Sequence, residues 1–222
     1  MTNIRSIMDL LDIINEMYGR VDGKIEFDED GWPVFRKEHF LSEWPGDVVT
    51  YDNRNSTIVA PSTDTLICFF AGDKQNYRRF VKLSSDIDVY RMYKGVVVPD
   101  ITVTGDMDIE MQDTIMLANQ LFAAVLAAND IKIVWNTRSG SNRPDHCFRN
   151  VPRNVMCASG FLGCRTNEAL ATMYVNKLLG LLPDKLVIYG KNDALVNKQL
   201  DALGVSYRYY DDFHRRSKRR AA

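Results

Sequence analysis

From residue 65 onward, short apolar runs alternate with longer segments of helical periodicity, and this alternation restricts the possible folds more than any other feature of the chain. Several runs are apolar almost throughout, which is typical of strands that are covered on both faces. The predicted strands are residues 66–70, 95–98, 131–135, 155–158, 186–189 and 205–209.

Helical segments separate these strands, so consecutive strands are expected to pair in parallel through right-handed crossovers. The segment 107–128 is apolar nearly all round and is therefore predicted to be deeply packed. Sequence alone does not choose between an open doubly wound sheet and one partly rolled into a barrel. We favour an open or partly rolled sheet, because roughly 160 residues is short for the eight βα units of a complete barrel. The predicted helices are 74–93, 107–128, 167–182 and 193–203.

The first 64 residues are different in character. Residues 2–18 have the apolar spacing of an amphipathic helix, and residues 25–27 and 32–35 flank an Asp-Gly turn, which predicts a β-hairpin. Residues 38–64 are polar and rich in turn formers, with one short strand predicted at 57–60. We therefore predict an α/β protein in three parts. They are a helix-and-hairpin attachment (1–64), an α/β domain with a mostly parallel sheet (65–210) and a basic tail (211–222).

Charge and cysteine usage limit the classes of partner. The chain has 222 residues and a net charge of −1, yet five of its 28 Lys and Arg residues lie between residues 214 and 220, which leaves 23 basic against 29 acidic residues, or −6, before residue 214. There is neither a signal-peptide core nor a membrane-length apolar stretch, so no membrane partner is expected. The four cysteines show no C-x-x-C spacing, and two of them lie in apolar runs. Such thiols are expected to be reduced, so we predict a cytoplasmic protein, in the host cytoplasm if it is encoded by a phage.

The carboxyl ends of parallel strands form one edge of a sheet, and ligands bind there. Asp100 directly follows a predicted strand and is the candidate catalytic residue, although such a carboxylate also fixes loops through backbone hydrogen bonds. Carboxylate, amide, guanidinium and hydroxyl groups on one rim suit a small anionic ligand such as a phosphate compound or nucleotide. The candidate ligand-binding residues are Thr102, Asn136, Arg138, Ser139, Ser141, Ser159, Gly160 and Gly163.

The sharpest local pattern is the glycine turn of residues 158–166. Backbone N–H groups at a turn that leads from a strand into a helix can hold phosphate. No Lys follows Gly163, so the segment is not a Walker A loop. A tight connection with Thr166 as the helix N-cap explains the pattern equally simply.

The basic tail offers a different function. Arginines and lysines at a terminus can contact DNA or RNA phosphates, and the tyrosines just before them can stack on bases. A solvated terminus without a partner is the alternative. Three scattered histidines give no reason to expect a metal site, no cofactor is indicated, and whether the protein is an enzyme stays open. The candidate nucleic-acid-binding residues are Arg215, Arg216, Lys218, Arg219 and Arg220.

Several short motifs across residues 65–190 resemble a family of bacterial, plasmid and phage proteins that is known only as a domain of unknown function. Their order and spacing are similar to those of the family, while the first 60 or so residues and the basic tail lie outside the resemblance. The matching motifs are Cys-Phe-Phe-Ala-Gly-Asp at 68–73, Val-Pro-Asp-Ile-Thr at 98–102, Asp-Met at 106–107, Ile-Lys-Ile-Val-Trp-Asn at 131–136, Asp-His-Cys-Phe-Arg-Asn-Val-Pro at 145–152, Leu-Pro at 182–183 and Leu-Val-Ile-Tyr-Gly at 186–190.

The resemblance implies no activity. Some relatives are labelled as plasmid rolling-circle replication proteins, which implies a role in phage or plasmid biology. Rolling-circle nicking typically uses a His-hydrophobic-His metal pair and a nearby tyrosine nucleophile, and this sequence lacks the His pair. Nicking activity is therefore not expected. Because of the basic tail and the labels of the relatives, our first hypothesis is a replication-associated accessory protein that contacts nucleic acid through its tail. A small-ligand binder or enzyme that uses Asp100, Asn136, Arg138 and Ser159 is a close second.

Overall fold

A seven-stranded parallel sheet, nearly closed into a barrel, forms the centre of the computed structural model. The structure describes residues 6–99, 101–103, 106–137, 148–160 and 168–221. The strands of the large sheet lie side by side in the order in which they occur in the chain. A doubly wound sheet would reverse its strand order at a switch point. The rolled form of the predicted sheet is therefore the one that this chain adopts.

All six strands predicted after residue 65 are present, and every pairing in the large sheet is parallel. The sheet also contains a seventh strand that the sequence did not predict. The strands are β1 (Glu26–Phe27) and β2 (Pro33–Val34), which form an antiparallel hairpin, and β3 (Asp47–Thr50), β4 (Thr65–Cys68), β5 (Gly95–Val97), β6 (Ile133–Asn136), β7 (Met156–Gly160), β8 (Lys185–Tyr189) and β9 (Ser206–Tyr210), which form the large sheet.

The strand predicted at 57–60 is wrong, and β3 is the strand that the prediction missed. The amides of Ser56 and Val59 donate to carbonyls three residues earlier, so this segment forms turns. In β3 only two of the four residues are apolar, but Asp47 is buried because its carboxylate accepts the amides of Val48 and Ala60. The large sheet thus begins before residue 65. The division of the chain into domains stays a prediction.

Seven α-helices occur in the described residues. The predicted helix at 74–93 is two helices, because the backbone of Lys82 leaves helical dihedral angles. Asp108 is the N-cap of the fourth helix, and Ser6 and Asp9 form a capping box at the first. The helices are α1 (Ile7–Val21), α2 (Asp73–Val81), α3 (Leu83–Tyr90), α4 (Ile109–Ala127), α5 (Glu168–Leu181), α6 (Ala194–Ala202) and α7 (Phe213–Ala221).

The deep packing predicted for the fourth helix is confirmed. Twelve residues of α4 are buried, including the polar Gln112, Asn119 and Gln120. No hydrogen-bond partner for the side-chain amides of Asn119 and Gln120 exists in the part of the chain that the structure describes. Residues 118–126 are all buried, so this part of α4 is enclosed on every side, and its polar Asn119 and Gln120 are buried with the apolar residues.

Two apolar clusters lie on opposite faces of the large sheet. The outer cluster joins the sheet to the helices, and it includes Phe69, Trp135 and Cys157 from the strands or their carboxyl ends. The inner cluster takes its buried members from the strands and their flanking residues and fills the barrel. Its buried members are Leu41, Val48, Leu66, Cys68, Phe70, Val97, Val134, Met156, Ala158, Val187 and Tyr189.

Strands β3 and β9 are the two edges of the sheet, and side chains fill the seam between them. The Tyr210 hydroxyl donates to the Pro45 carbonyl at 2.7 Å. The guanidinium carbon of Arg208 lies 4.7 Å from the centre of the Trp44 ring. These contacts join strand edges that backbone hydrogen bonds do not join, so the barrel is closed at this seam by side chains.

Candidate functional site

The carboxyl ends of all seven strands of the large sheet lie on one face of the barrel, as the parallel pairing requires. Of the site residues predicted on this face, the structure describes Thr102, Asn136, Ser159 and Gly160. The others lie outside the described residues. They are Asp100, Arg138, Ser139, Ser141 and Gly163.

Asn136 is the last residue of β6, and its side chain belongs to the inside of the barrel. Side chains alternate between the two faces of a strand, and Val134, two residues earlier, lies in the inner cluster. The Asn136 side chain is buried, and its amide nitrogen donates to the carbonyl of Pro99 at 3.4 Å. A polar amide thus lies above the aliphatic interior at the carboxyl end of the barrel.

Ser159 faces the other way. It follows Cys157, which lies in the outer cluster, and its side chain is fully buried on that side of the sheet. Its hydroxyl forms a short hydrogen bond with the Thr137 hydroxyl, and Thr137 also contacts the Ala158 carbonyl at 3.2 Å. The structure therefore places Ser159 and Asn136 on opposite faces of the sheet and does not bring them together.

Gly160 lies on the inner face at the end of β7, directly beside the ring of Phe70. A Cβ atom on Gly160 would lie 2.4 Å from two ring carbons of Phe70. That ring stacks on Tyr189 with 6.0 Å between the ring centres. The missing side chain thus has a packing role, beside the phosphate-binding role that the sequence suggested.

Thr102 is fixed by a carboxylate that the sequence analysis did not single out. Both its backbone N–H and its hydroxyl donate to the same oxygen of Asp73, each at 3.1 Å. Asp73 is the first residue of α2, so it ties the segment after β5 to the helix after β4. The sequence does contain a signal for this role: Asp73 is an acidic residue that follows a predicted strand and a glycine and lies directly before a predicted helix.

A cleft at the carboxyl ends of β3 and β4 was also missed, because β3 itself was missed. Its walls include the aromatic rings of Tyr51 and Phe69, the buried amide of Asn76 and the guanidinium of Arg79. Arg79 donates to Asp86 at 3.0 Å, and both side chains are about nine-tenths buried. Burying both groups costs desolvation energy, which the contact between them must offset.

The ring of Tyr51 organises the charges beside this cleft. The guanidinium carbons of Arg54 and Arg79 lie 3.9 and 4.3 Å from its centre, which are cation–π distances. Burial raises the pKa of the Tyr51 phenol, and its hydrogen bond to Asp86 raises that pKa further. Tyr51 is thus held neutral as a hydrogen-bond donor between two cationic groups.

The basic tail is an ordered helix, α7, and three of its five cationic side chains contact aspartates. Arg216 makes two hydrogen bonds to the Asp47 carboxylate, at 2.5 and 2.9 Å, and a short one to the Ile58 carbonyl. Arg219 and Arg215 form ion pairs with Asp211. Lys218 is exposed, and the side chain of Arg220 lies outside the described part of the chain.

A family model described as a domain of unknown function (DUF4417) matches residues 30–209. The chain belongs to this family. The match to DUF4417 extends beyond the motifs at 65–190 and includes β2 and β3, so the resemblance is longer at its amino end than we had expected. No curated protein and no solved structure matches the chain significantly. In the residues that the structure describes, no helix has both the length and the apolar character needed to cross a membrane.

Proposed function

We propose that this DUF4417 protein binds a small anionic ligand, of the phosphate or nucleotide class, at the carboxyl ends of its barrel strands. One observation carries the proposal. Along β3 and β6 the inward side chains change from the aliphatic Val48 and Val134 to the polar Thr50 and Asn136 toward the carboxyl end. Apolar walls with a few convergent polar groups are typical of ligand sites.

The opposite end of the barrel supports the same choice of face. At the amino ends of the strands, Lys94 donates to Asp64 at 3.0 Å and Lys132 to the Glu38 carbonyl at 2.5 Å. Lys185 likewise contacts Asp184 at 2.6 Å. These lysines are satisfied within the protein. In parallel barrels, this end contributes to stability and the carboxyl end carries the site.

The ligand class follows from the residue types that leave the carboxyl ends. Arg138 and the hydroxyls of Ser139 and Ser141 follow β6 in sequence, and the glycine turn with Gly163 follows β7. Guanidinium groups and turn N–H groups are the donors that phosphate oxygens prefer. Asp100, which follows β5, is the candidate acid–base group if the protein is an enzyme, and we assign no reaction.

The test is ligand-induced thermal stabilisation, measured with inorganic phosphate, nucleoside monophosphates and triphosphates, each with and without Mg²⁺. A ligand at about 100 times its Kd raises stability by about 2.7 kcal/mol, which shifts Tm by several degrees. We expect Arg138→Ala and Asp100→Asn to remove the shift. The matched controls, Arg153→Ala and Asp184→Asn, lie just before β7 and β8 at the amino ends and are expected to retain it.

No shift with any of these compounds, or equal loss of the shift in both pairs of variants, would contradict the proposal. A shift with inorganic phosphate alone indicates that the phosphate group is what the protein recognises. A shift with nucleotides only indicates that the nucleoside is recognised as well. The comparison therefore decides between a phosphate compound and a nucleotide as the ligand.

Nucleic-acid binding through the tail was our first choice from the sequence, and the contacts of α7 support it less. Arg215, Arg216 and Arg219 already neutralise aspartates, and Arg216 is mostly buried at the seam. The replication-associated role is a proposal that rests on the labels of relatives alone. Nucleic-acid binding by the tail is tested by measuring how the unchanged protein and the Lys218→Gln/Arg219→Gln double variant bind single- and double-stranded DNA at several salt concentrations. The double variant leaves Arg216 in place. Binding equal to that of the unchanged protein would end this alternative.

A further inference from the structure

The carboxyl-terminal helix contacts the barrel mainly through polar groups. In the sequence of α7, only Phe213 and Ala221 are apolar. In the part of the chain that the structure describes, its hydrogen bonds to residues before 211 include the Arg216 pair with Asp47, the Arg216 bond to the Ile58 carbonyl, and a 3.0 Å hydrogen bond from the Phe213 amide to the Tyr189 hydroxyl. A helix held in this way has little apolar burial to stabilise it.

These contacts span the seam. Asp47 begins β3, one edge of the sheet, and α7 follows β9, the other edge. The Asp47 carboxylate also accepts the amides of Val48 and Ala60, so Arg216 closes a polar network that reaches the start of β3 and the turn before β4. The connection between β3 and β4 has 3-10 turns but no α-helix. A parallel connection usually contains a helix that covers the neighbouring strands, and the β3–β4 connection has none. Helix α7 reaches the edge of the sheet at β3, where such a helix would lie.

The same helix is linked to the interior of the barrel. Tyr189 accepts the Phe213 amide, and its ring is 1% exposed and stacks on Phe70 beside Gly160. The inner cluster also contains Cys68, which is fully buried and is not part of a disulfide. Any movement of α7 away from the seam therefore removes one of the contacts that bridge the two edges and one support of the inner aromatic pair.

We propose that α7 is an ionic strap, fastened by Arg216 on Asp47, whose release opens the seam between β3 and β9 and exposes the interior of the barrel while the helical layer stays folded. Proteins open locally in units that are held by few apolar contacts, and α7 is such a unit. The proposal does not depend on whether the carboxyl-end face binds a ligand.

The test compares Arg216→Gln with Arg219→Gln. Both variants remove one positive charge from the same helix, but Arg219 pairs with Asp211 and does not reach the seam. Thiol labelling, read peptide by peptide by mass spectrometry, reports opening at two sites: Cys68 lies in the inner cluster and Cys157 in the outer one. We expect Arg216→Gln to raise the labelling rate of Cys68 at least ten-fold over Arg219→Gln, with the rate of Cys157 unchanged.

Amide hydrogen exchange gives a second readout. In Arg216→Gln the amides of β3, β9 and α7 are expected to exchange at least ten-fold faster, and those of β6 at their original rate. If Arg216→Gln fails to fold, Asp47→Asn replaces it, because Asn loses the charge while its one oxygen still accepts one of the two backbone amides, that of Val48 or that of Ala60. Equal labelling of Cys68 in the Arg216 and Arg219 variants, or faster reaction of Cys68 and Cys157 together, would overturn the strap.

Discussion

Gly160 ends β7 without a side chain, and the neighbouring ring of Phe70 occupies the space that a side chain would need. A Cβ atom at this position would approach two ring carbons to 2.4 Å and the Phe70 Cβ to 3.0 Å. The ring has no room to retreat, because it is 5% exposed and stacks on Tyr189, which is 1% exposed. Gly160→Ala therefore forces the aromatic pair or β7 to move.

Overpacking of this kind costs about 1–3 kcal/mol. The φ angle of Gly160 is outside the left-handed region, so the substitution causes no backbone strain. Alanine also lowers the conformational entropy of the unfolded chain, and this stabilising effect offsets about 0.5 kcal/mol of the overpacking cost. We expect a net loss of about 2 kcal/mol in the free energy of unfolding. For a protein of this size, that loss lowers Tm by about 4–8 °C.

The assay is urea unfolding of Gly160→Ala, Phe70→Ala and the double variant. Ala at position 70 removes both ring carbons that the new Cβ atom would meet, so the double variant is expected to be less destabilised than the sum of the single variants by more than about 1 kcal/mol. The control is Gly19→Ala, which lies in α1 where a Cβ atom would meet no other atom within 4 Å, and it is expected to stabilise the protein by about 0.5–1 kcal/mol. Additive effects of the two substitutions, or a Gly160→Ala variant as stable as the original, would refute the packing argument.

Three further predictions concern buried polar groups. Asp86→Ala leaves the buried guanidinium of Arg79 without its carboxylate and is expected to cost about 3–5 kcal/mol, which the double variant Arg79→Met/Asp86→Ala largely recovers in urea unfolding. Gln120→Met removes two buried amide atoms that have no partner in the described part of the chain, so it is expected to raise the free energy of unfolding by about 1 kcal/mol; a loss of stability would show that the amide is satisfied. Burial of Asp28 acts to raise its pKa, but the hydrogen bond from Asn150 and its other partners lower that pKa overall. The resulting stability is present at neutral pH and is lost as the pH falls through the lowered pKa, so Asp28→Asn is expected to flatten the acid limb of the stability–pH curve, and an unchanged limb would contradict this.

The strands after residue 65 and most of the helices were predictable because each has a local signal. Strands β4 to β8 are buried on both faces, so their sequences are apolar runs that need no knowledge of their neighbours. Strand β3 has no such signal. Its first residue, Asp47, is buried among partners that include Ala60 and, 169 residues away, Arg216, and no local pattern reports these contacts.

The candidate site was predictable as a face of the sheet but not as a set of side chains. Parallel pairing fixes which residues follow strand ends, and Asn136 and Gly160 lie where that rule placed them. Which face each side chain takes depends on the register, and one residue more or less reverses it. Ser159 precedes Gly160 by one position and is therefore on the outer face, bonded to Thr137.

The basic tail shows why charge composition alone does not identify a partner. An arginine cluster at a terminus gives the same sequence pattern whether it faces solvent, phosphates or carboxylates of its own chain. Here the chain before residue 214 carries 29 acidic against 23 basic residues, and two of those acidic residues, Asp47 and Asp211, contact three tail arginines. Any polyanion that recruits Arg216 must first displace Asp47, a carboxylate already desolvated by the barrel. Nucleic-acid binding through Arg216 would therefore compete with closure of the seam for the same side chain, whereas Lys218 and Arg219 are exposed and can be reached without opening the barrel.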